Sequence, residues 1–226
     1  MIEGVVFDMD GVLVDTEPVW EEVRRAYVAE SGGVWQPDSQ RRLMGMSTSE
    51  WTRYLSDELG VHRDPKTVAD EVVARMAARY RQALPLLPGA VDAVHRLAVR
   101  FRLGLASSSP RLLIEQVLAS AGLDGAFAAT LSTEEVAAGK PAPDVYLAAA
   151  QRLGLPADRC AAIEDSTNGL RAAAAAGCAV IAVPRPDYPP APEAIESADL
   201  VITRLDELTP EAVARLGSKP GEASGC

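Results

Sequence analysis

The stretch VVFDMDGVLVDTE, residues 5–17, decides the fold of this chain. It begins as an apolar run and then places Asp8 and Asp10 among small and apolar residues. Carboxylates are rarely buried without a partner, so two of them at the end of a buried strand need an explanation. Either the strand runs into a polar turn at Asp10-Gly11, or two negative groups hold a cation and attack a substrate.

The bulk composition favours a folded, acidic protein that acts on small molecules. Of its 226 residues 48% are hydrophobic, enough for a substantial core, and the formal net charge is −10. A nucleic-acid-binding domain needs a clustered basic face, so no nucleic-acid partner is expected. An anionic substrate would need a local cation. The 3 cysteines are too few for a disulfide framework or a zinc site.

The chain carries no basic leader at its N-terminus, and no apolar run approaches the roughly 20 residues that cross a bilayer. We therefore expect a soluble, cytoplasmic protein with no membrane partner, and a monomer by default. The prolines of PRPDYPPAP (184–192) indicate a rigid surface connection, and their role stays open.

Strand and helix patterns alternate along most of the chain. This alternation predicts an α/β fold with a Rossmann-like parallel sheet that has helices on both faces. The strands are expected over residues 2–7, 101–107, 126–131, 160–164, 179–183 and 198–202.

A helical segment interrupts the series after the first strand. Pro18 in a first turn, the capping box Ser47–Glu50 and the pair Asp64-Pro65 mark successive helix starts. We call residues 15–86 the helical insertion and predict that it forms a cap domain joined to the core by two linkers. The predicted division is a core of residues 1–14 and 87–217, a cap of residues 15–86 and a disordered tail of residues 218–226.

Polar side chains follow four of the predicted strands, at the edge where parallel α/β sheets bind ligands. In chain order they are Asp8 and Asp10, Ser107 to Ser109, Lys140, and Glu164 with Asp165. Oxygen ligands without histidine or cysteine favour a hard cation such as Mg²⁺. A lysine can neutralise phosphoryl oxygens, and a carboxylate can act as a covalent nucleophile.

Each motif alone has a simpler explanation. Asp10-Gly11 could be a turn, Ser107 to Ser109 a helix N-cap, Lys140 a solvated surface lysine, and Glu164-Asp165 a second helix cap. Their occurrence together, each at a strand end, favours a phosphoryl-transfer site. The whole set resembles the haloacid dehalogenase superfamily, in its β-phosphoglucomutase-like phosphatase branch with a helical cap. The matching stretches are DMDGVLVDTE (8–17), LASSS (105–109), GKPAPDVY (139–146) and IEDSTNGLRAA (163–173).

The resemblance implies a role for each matching residue. Asp8 would be the nucleophile, and Asp10 would be the general acid and then the base. Ser107 and Lys140 would hold the phosphoryl oxygens. The Mg²⁺ ligands would come from Asp8, Asp10, Glu164 and Asp165, with Asp10 contributing its main-chain carbonyl. Substrate contacts are expected from Gly11 and Ser108 near the phosphoryl group, and from Trp20, Gly45, Thr48 and Ser49 in the helical insertion.

The predicted function is a magnesium-dependent phosphatase that hydrolyses a small phosphomonoester, such as a sugar phosphate, through an aspartyl-phosphate. Carbon–halogen cleavage needs no leaving-group acid, so Asp10 favours phosphate esters. Lys66, at a predicted helix start, is expected to face water rather than serve Schiff-base chemistry.

Two alternatives stay open. The first is a sugar-phosphate mutase of the β-phosphoglucomutase type. Mutases of this branch carry cations in the cap that hold a second phosphate, whereas Trp20 and Thr48 stand at the corresponding positions here. The second is a phospho-accepting signalling domain or a binding module without turnover. The helical insertion and Asp10 both argue against this second alternative. The physiological substrate is not determined by these patterns.

Overall fold

The computed structural model describes residues 1–216, and the tail predicted to be disordered lies outside this range. Its centre is a six-stranded sheet in the order β3-β2-β1-β4-β5-β6, in which all neighbours are parallel. The predicted Rossmann-like α/β fold is confirmed. The strands are β1 (Gly4–Phe7), β2 (Arg102–Ser107), β3 (Ala129–Ser132), β4 (Cys160–Glu164), β5 (Ala179–Ala182) and β6 (Leu200–Val201).

Four helices form the helical insertion between β1 and the rest of the core. They are α1 (Glu17–Glu30), α2 (Ser39–Leu43), α3 (Thr48–Asp57) and α4 (Pro65–Gln82). Helices α1 and α3 both pack against α4. The predicted capping box is present, since the Glu50 carboxylate accepts a 2.8 Å hydrogen bond from the Ser47 amide. Helix α2, of 5 residues, is too short to show a helical period and was not expected.

The two ends of the helical insertion run side by side. The Asp15 amide donates to the Pro85 carbonyl at 2.7 Å, and the Leu87 amide donates to the Leu13 carbonyl at 2.9 Å. Two adjacent connections are what the predicted linkers require. The division into core and cap domains stays a prediction, which this pairing supports.

The remaining helices cover both faces of the sheet. They are α5 (Ala90–Ala98), α6 (Arg111–Ser120), α7 (Asp144–Arg152), α8 (Thr167–Ala175), α9 (Pro192–Glu196) and α10 (Pro210–Leu216). Alternate residues of β1 face opposite sides, so Val5 and Phe7 belong to one buried cluster with α5 and α6, while Val6 joins α7 and α8 in another. Fully buried on both faces, β1 is the hydrophobic centre of the core.

Strand β1 also marks the point where the strand order reverses. It pairs with β2 on one side and β4 on the other, and ligands of open α/β sheets bind outside the carboxyl ends of strands at such a point. Asp8, Ser107 and Glu164 stand at the carboxyl ends of these three strands. Within residues 1–216, no helix is both long and apolar enough to cross a membrane.

Candidate active site

Asp8 and Lys140 form the centre of the site. Asp8 follows β1 directly and is only 6% exposed, while Lys140 lies on the loop before α7 and is 5% exposed. The Lys140 ammonium donates to Asp8 Oδ1 and Glu164 Oε1, both at 2.6 Å, and to the Ala106 carbonyl at 3.0 Å. All three N–H donors of the ammonium therefore have acceptors. Two of these acceptors lie on β2 and β4, and the third directly follows β1.

Burial and charge shift the ionisation of this cluster. Burial raises the pKa of Asp8, and the attraction of Lys140 opposes that rise without cancelling it. The pKa of Asp165 is also raised, by burial and then by repulsion from Glu164. Burial lowers the pKa of Lys140, but the attraction of Asp8 and Glu164 outweighs it, so the lysine stays charged. Fully ionised, the three carboxyl groups would carry more negative charge than the one lysine balances, and a bound cation would favour that ionised state.

The acidic cluster has the chemistry of a magnesium site. Oxygen atoms of Asp8, Glu164 and Asp165 lie within 4.8 Å of one another, and all three side chains are buried. Oxygen donors and an excess of negative charge suit a hard divalent cation. Gly11 permits this arrangement, because it has a φ of +81° and a Cβ there would lie 1.8 Å from Asp165 Oδ2. The residues present therefore fit Mg²⁺.

Glu164 uses both of its oxygens within the protein. Oε1 accepts a 2.7 Å hydrogen bond from the Tyr146 hydroxyl in addition to the lysine, and Oε2 accepts one at 3.1 Å from the Ser166 hydroxyl. The Glu164 carboxylate also fills the space beside Gly169, where a Cβ would lie 1.9 Å from the carboxyl carbon of Glu164. Glu164 thus ties α7 and α8 to the lysine. Tyr146 lies within the GKPAPDVY stretch, but the spacing of apolar residues there indicates only that it is a buried helix residue. Its contact with Glu164 was therefore not predicted.

The Asp10 carboxylate is held by three hydroxyl groups. Oδ1 accepts a short hydrogen bond from Thr16, and Oδ2 accepts from Ser109 at 2.8 Å and from Ser107 at 3.2 Å. The serines serve Asp10 rather than α6, which begins after Pro110 without a side-chain cap. Ser109 belongs to the serine run expected at this edge, although no role was predicted for it. Thr16 was not expected in the site, because it sits at a predicted helix start where a hydroxyl is usually a cap.

A cavity of about 50 Å³ joins these groups to the helical insertion. The expected residues Asp8, Asp10, Lys140, Asp165 and Ser108 line its core side, and Trp20 and Gly45 line the side of the insertion. Its apolar wall is completed by Leu43, Met44, Met46 and Trp51, and two charged groups, Glu17 and Arg24, also face it. Met46 lies in the loop Gly45 to Ser49, which was expected to contribute to specificity, and the other five residues were not predicted from the sequence.

Four of the expected substrate contacts lie elsewhere. Ser107 and Gly11 are buried beside the cavity rather than on its wall. Thr48 and Ser49 line a separate groove between the helical insertion and the core, where the Thr48 hydroxyl donates to Glu134 Oε1 at 2.6 Å.

A wider groove of about 1200 Å³ lies next to the cavity and shares Met44 and Ser166 with it. Residues 187–192 of the proline-rich segment form one wall of this groove, and the exposed residues Arg41 and Arg42 form part of the opposite wall. This segment therefore borders the approach to the cavity, which its composition alone did not indicate.

The comparisons with known proteins agree with this arrangement. Residues 2–177 match a model of haloacid dehalogenase-like hydrolases. Hexitol phosphatase B of Escherichia coli K12 is 35% identical over 215 residues, which span 92% of this chain and 95% of the relative. Phosphorylated carbohydrates phosphatase of Thermotoga maritima is 31% identical over 177 residues, 78% of this chain and 82% of the relative.

A solved structure shares the fold over nearly the whole chain. The crystal structure of CbbY from Rhodobacter sphaeroides in complex with phosphate aligns with a TM-score of 0.84 and 26% identity, covering 95% of this chain and 100% of that one. The four motifs, the parallel sheet and these relatives agree. The chain belongs to the haloacid dehalogenase-like hydrolase family and is, as its motifs predict, an enzyme of that family.

Proposed function

We propose that the protein is a magnesium-dependent phosphatase that hydrolyses a small phosphorylated carbohydrate through an aspartyl-phosphate on Asp8. One observation carries the proposal: Asp8, Asp10, Lys140 and Asp165 come from distant parts of the chain and line a single small cavity. The names of the two curated relatives, a hexitol phosphatase and a phosphatase of phosphorylated carbohydrates, support the substrate class.

In the first step an Asp8 oxygen attacks the phosphorus atom, and the bond from phosphorus to the ester oxygen breaks. Asp10, protonated, gives its proton to the departing oxygen, so the leaving group is an alcohol. Lys140 already contacts Asp8 and offers its charge to the phosphoryl oxygens as negative charge develops there. Ser108, on the cavity wall, is placed to donate to the same oxygens.

In the second step Asp10 takes a proton from a water molecule, and the resulting hydroxide attacks the phosphorus atom. The bond to Asp8 breaks and inorganic phosphate leaves, which restores both aspartates. The hydroxyls of Thr16, Ser107 and Ser109 fix the Asp10 carboxylate in place for both proton transfers. In this structure Ser107 therefore positions Asp10, a role beside the phosphoryl contact that the sequence implied.

Asp8, Asp165 and the Asp10 main-chain carbonyl would hold Mg²⁺, with Glu164 beside them. Bound there, the ion would supply positive charge against the clustered carboxylates and the phosphoryl oxygens. Glu164 contributes mainly by orienting Lys140, since both of its oxygens already accept hydrogen bonds.

The helical insertion would act as a lid. The cavity of about 50 Å³ has room for only a few water molecules, so a sugar phosphate requires the insertion to move away and return. The apolar side chains of Trp20, Leu43 and Trp51 then keep bulk water from the reacting groups. The monomeric state and the cytoplasmic location stay predictions.

The test is phosphate release from p-nitrophenyl phosphate and from a panel of hexitol and sugar phosphates, with and without Mg²⁺. We expect activity that requires the ion and that falls to background in Asp8→Asn. Equal activity in Asp8→Asn would overturn the proposal. Isomerisation of a hexose 1-phosphate without phosphate release would favour the mutase, and a long-lived phosphoaspartate without turnover would favour the signalling domain.

A further inference from the structure

Arg24 is a buried cation that the proposed chemistry does not use. It lies on α1, is only 4% exposed, and lines the same cavity as Asp8. Its guanidinium carbon lies 4.2 Å from the ring centroid of Trp20 and 5.2 Å from that of Trp51. Within residues 1–216 its Nε atom has no hydrogen-bond partner.

The protein supplies no ion pair for this charge within the described residues. Two other glutamates of α1 are directed elsewhere, since Glu22 pairs with Arg79 and Glu30 pairs with Arg75, both on α4. Glu17, which lines the cavity together with Arg24, accepts a hydrogen bond from Gln40 instead. Arg24 thus lies beside two indole rings without a carboxylate bound to it.

The Glu17 carboxyl group compensates this charge only in part. Burial raises the pKa of Glu17 to about 7, with the attraction of Arg24 opposing the rise. At neutral pH a substantial fraction of Glu17 is therefore protonated and uncharged. Burying a charge without a partner is unfavourable, so a ligand that brings an anion to Arg24 would recover part of that cost.

The geometry of the group favours a carboxylate or a phosphate as that anion. Guanidinium donors form a planar fork that matches the paired oxygens of these two groups, and the two indoles beside the guanidinium limit its movement. A neutral hydroxyl could accept one hydrogen bond but would leave the charge uncompensated.

We propose that Arg24 binds a second anionic group of the substrate, at the end remote from the phosphoryl group that Asp8 attacks. The inference rests on the proposed phosphatase activity and narrows its substrate class to phosphorylated sugar acids and sugar bisphosphates over neutral polyol phosphates.

The experiment compares substrates that differ in one group. Gluconate 6-phosphate and glucitol 6-phosphate differ only in having a carboxylate or a hydroxymethyl group at C1, and fructose 1,6-bisphosphate and fructose 1-phosphate differ in a second phosphate. We expect wild-type kcat/KM to favour the anionic member of at least one pair by roughly tenfold or more, the range of one charged hydrogen bond. The substrate pair that shows this preference indicates whether Arg24 binds a carboxylate or a phosphate.

Variants connect this preference to the residue. Arg24→Met should reduce the anionic-to-neutral ratio of kcat/KM to about one, and Arg24→Lys should retain part of it. Arg25→Met is the matched control, because Arg25 is the next residue of α1 and is exposed, and it should leave the ratio unchanged. Quenching of tryptophan fluorescence by gluconate 6-phosphate in magnesium-free buffer gives a second measurement that needs no turnover.

The outcomes separate the two proposals. Hydrolysis of the neutral esters with no preference for the anionic ones, or equal losses in Arg24→Met for both members of a pair, would overturn the role of Arg24 and leave the phosphatase standing. If wild-type protein with Mg²⁺ hydrolyses neither the pairs nor p-nitrophenyl phosphate, both proposals fall.

Discussion

The ammonium of Lys140 lies 2.6 Å from Asp8 Oδ1, although 132 residues separate them in the chain. The contact is possible because Asp8 ends the central strand while Lys140 sits on the loop that leads into α7. Both side chains are almost inaccessible to solvent. A cation in this position holds β1, β2 and β4 together at their carboxyl ends and lies beside the proposed nucleophile.

Removal of this cation should destabilise the fold as well as abolish the activity. Lys140→Met leaves Asp8 and Glu164 buried without their shared partner, and loss of one member of a buried ion pair costs about 3–5 kcal/mol. Urea unfolding at neutral pH measures the cost. Lys66→Met is the control, because Lys66 pairs with Asp70 on the exposed surface of α4 and its loss should leave the midpoint unchanged. Equal midpoints for the two variants would contradict the structural role of Lys140.

The core of the site was predictable because parallel sheets follow strict geometric rules. Once Asp8, Ser107 and Glu164 are assigned to strand ends, the sheet brings them to one edge whatever the length of chain between them. Lys140 belongs to the same edge because it follows β3. The same rules predicted the helices on both faces, and local capping signals such as Asp64-Pro65 predicted where helices of the insertion begin.

The residues of the helical insertion that face the cavity were much less predictable. Arg24 lies next to the apolar stripe of Trp20, Val23 and Tyr27, and helical spacing alone cannot tell whether an arginine beside such a stripe is buried or extends to solvent. Thr48 was expected on the cavity and lies on a separate groove instead. How the insertion meets the core depends on packing between distant segments, which no local pattern encodes.

Gly11→Ala should lower the stability of the protein by more than backbone strain alone explains, because it also disturbs the acidic cluster. A Cβ at this position would lie 1.8 Å from Asp165 Oδ2, so the carboxylate must move. Gly122→Ala is the matched control, because Gly122 also has a positive φ, +68°, but has no neighbour within 4 Å of its Cβ position. Relative to this control, we expect Gly11→Ala to lose a further 1–3 kcal/mol or so of stability, the usual cost of overpacking.

The same variant should also bind Mg²⁺ more weakly, since Asp165 is a proposed ligand. Titration calorimetry with MgCl₂ measures the affinity, and Gly122→Ala should match wild type. Equal losses of stability and unchanged Mg²⁺ affinity in both variants would show that the approach of Gly11 to Asp165 is unimportant.

Glu17 should make the stability of the protein depend on pH. Burial raises its pKa from 4.5 to about 7, so the folded state favours the protonated form. The stability that this group contributes is fully present below pH 4.5 and is lost as the pH rises through about 7. The shift corresponds to at most about 3 kcal/mol, and to less where water in the cavity screens the charge.

Glu17→Gln removes this dependence because an amide does not titrate in this range. The free energy of unfolding of the variant minus that of wild type should therefore increase between pH 4.5 and pH 7 and stay constant at higher pH. Urea unfolding across this range at constant ionic strength measures the difference. A difference that does not change with pH would mean that the carboxyl group is not buried as described.

Thr48 should act on cap closure rather than on substrate choice. Its hydroxyl, on the helical insertion, donates to Glu134 on the core at 2.6 Å, outside the cavity that holds Asp8. Thr48→Val removes this contact, which as an exposed hydrogen bond is worth about 1 kcal/mol or less. We therefore expect kcat/KM to fall by about fivefold or less, by the same factor for every phosphate ester.

Two further variants check this assignment. Glu134→Gln with Thr48→Val should be no worse than Thr48→Val alone, because the two residues form one contact. Ser49→Ala is the matched control, because the only hydrogen bond of the exposed Ser49 side chain within the described residues is to the Ser47 hydroxyl, at 3.2 Å. If instead the loss in Thr48→Val differs strongly between a hexitol phosphate and p-nitrophenyl phosphate, then Thr48 reaches the substrate, and the insertion must close over the core in another position than the one described.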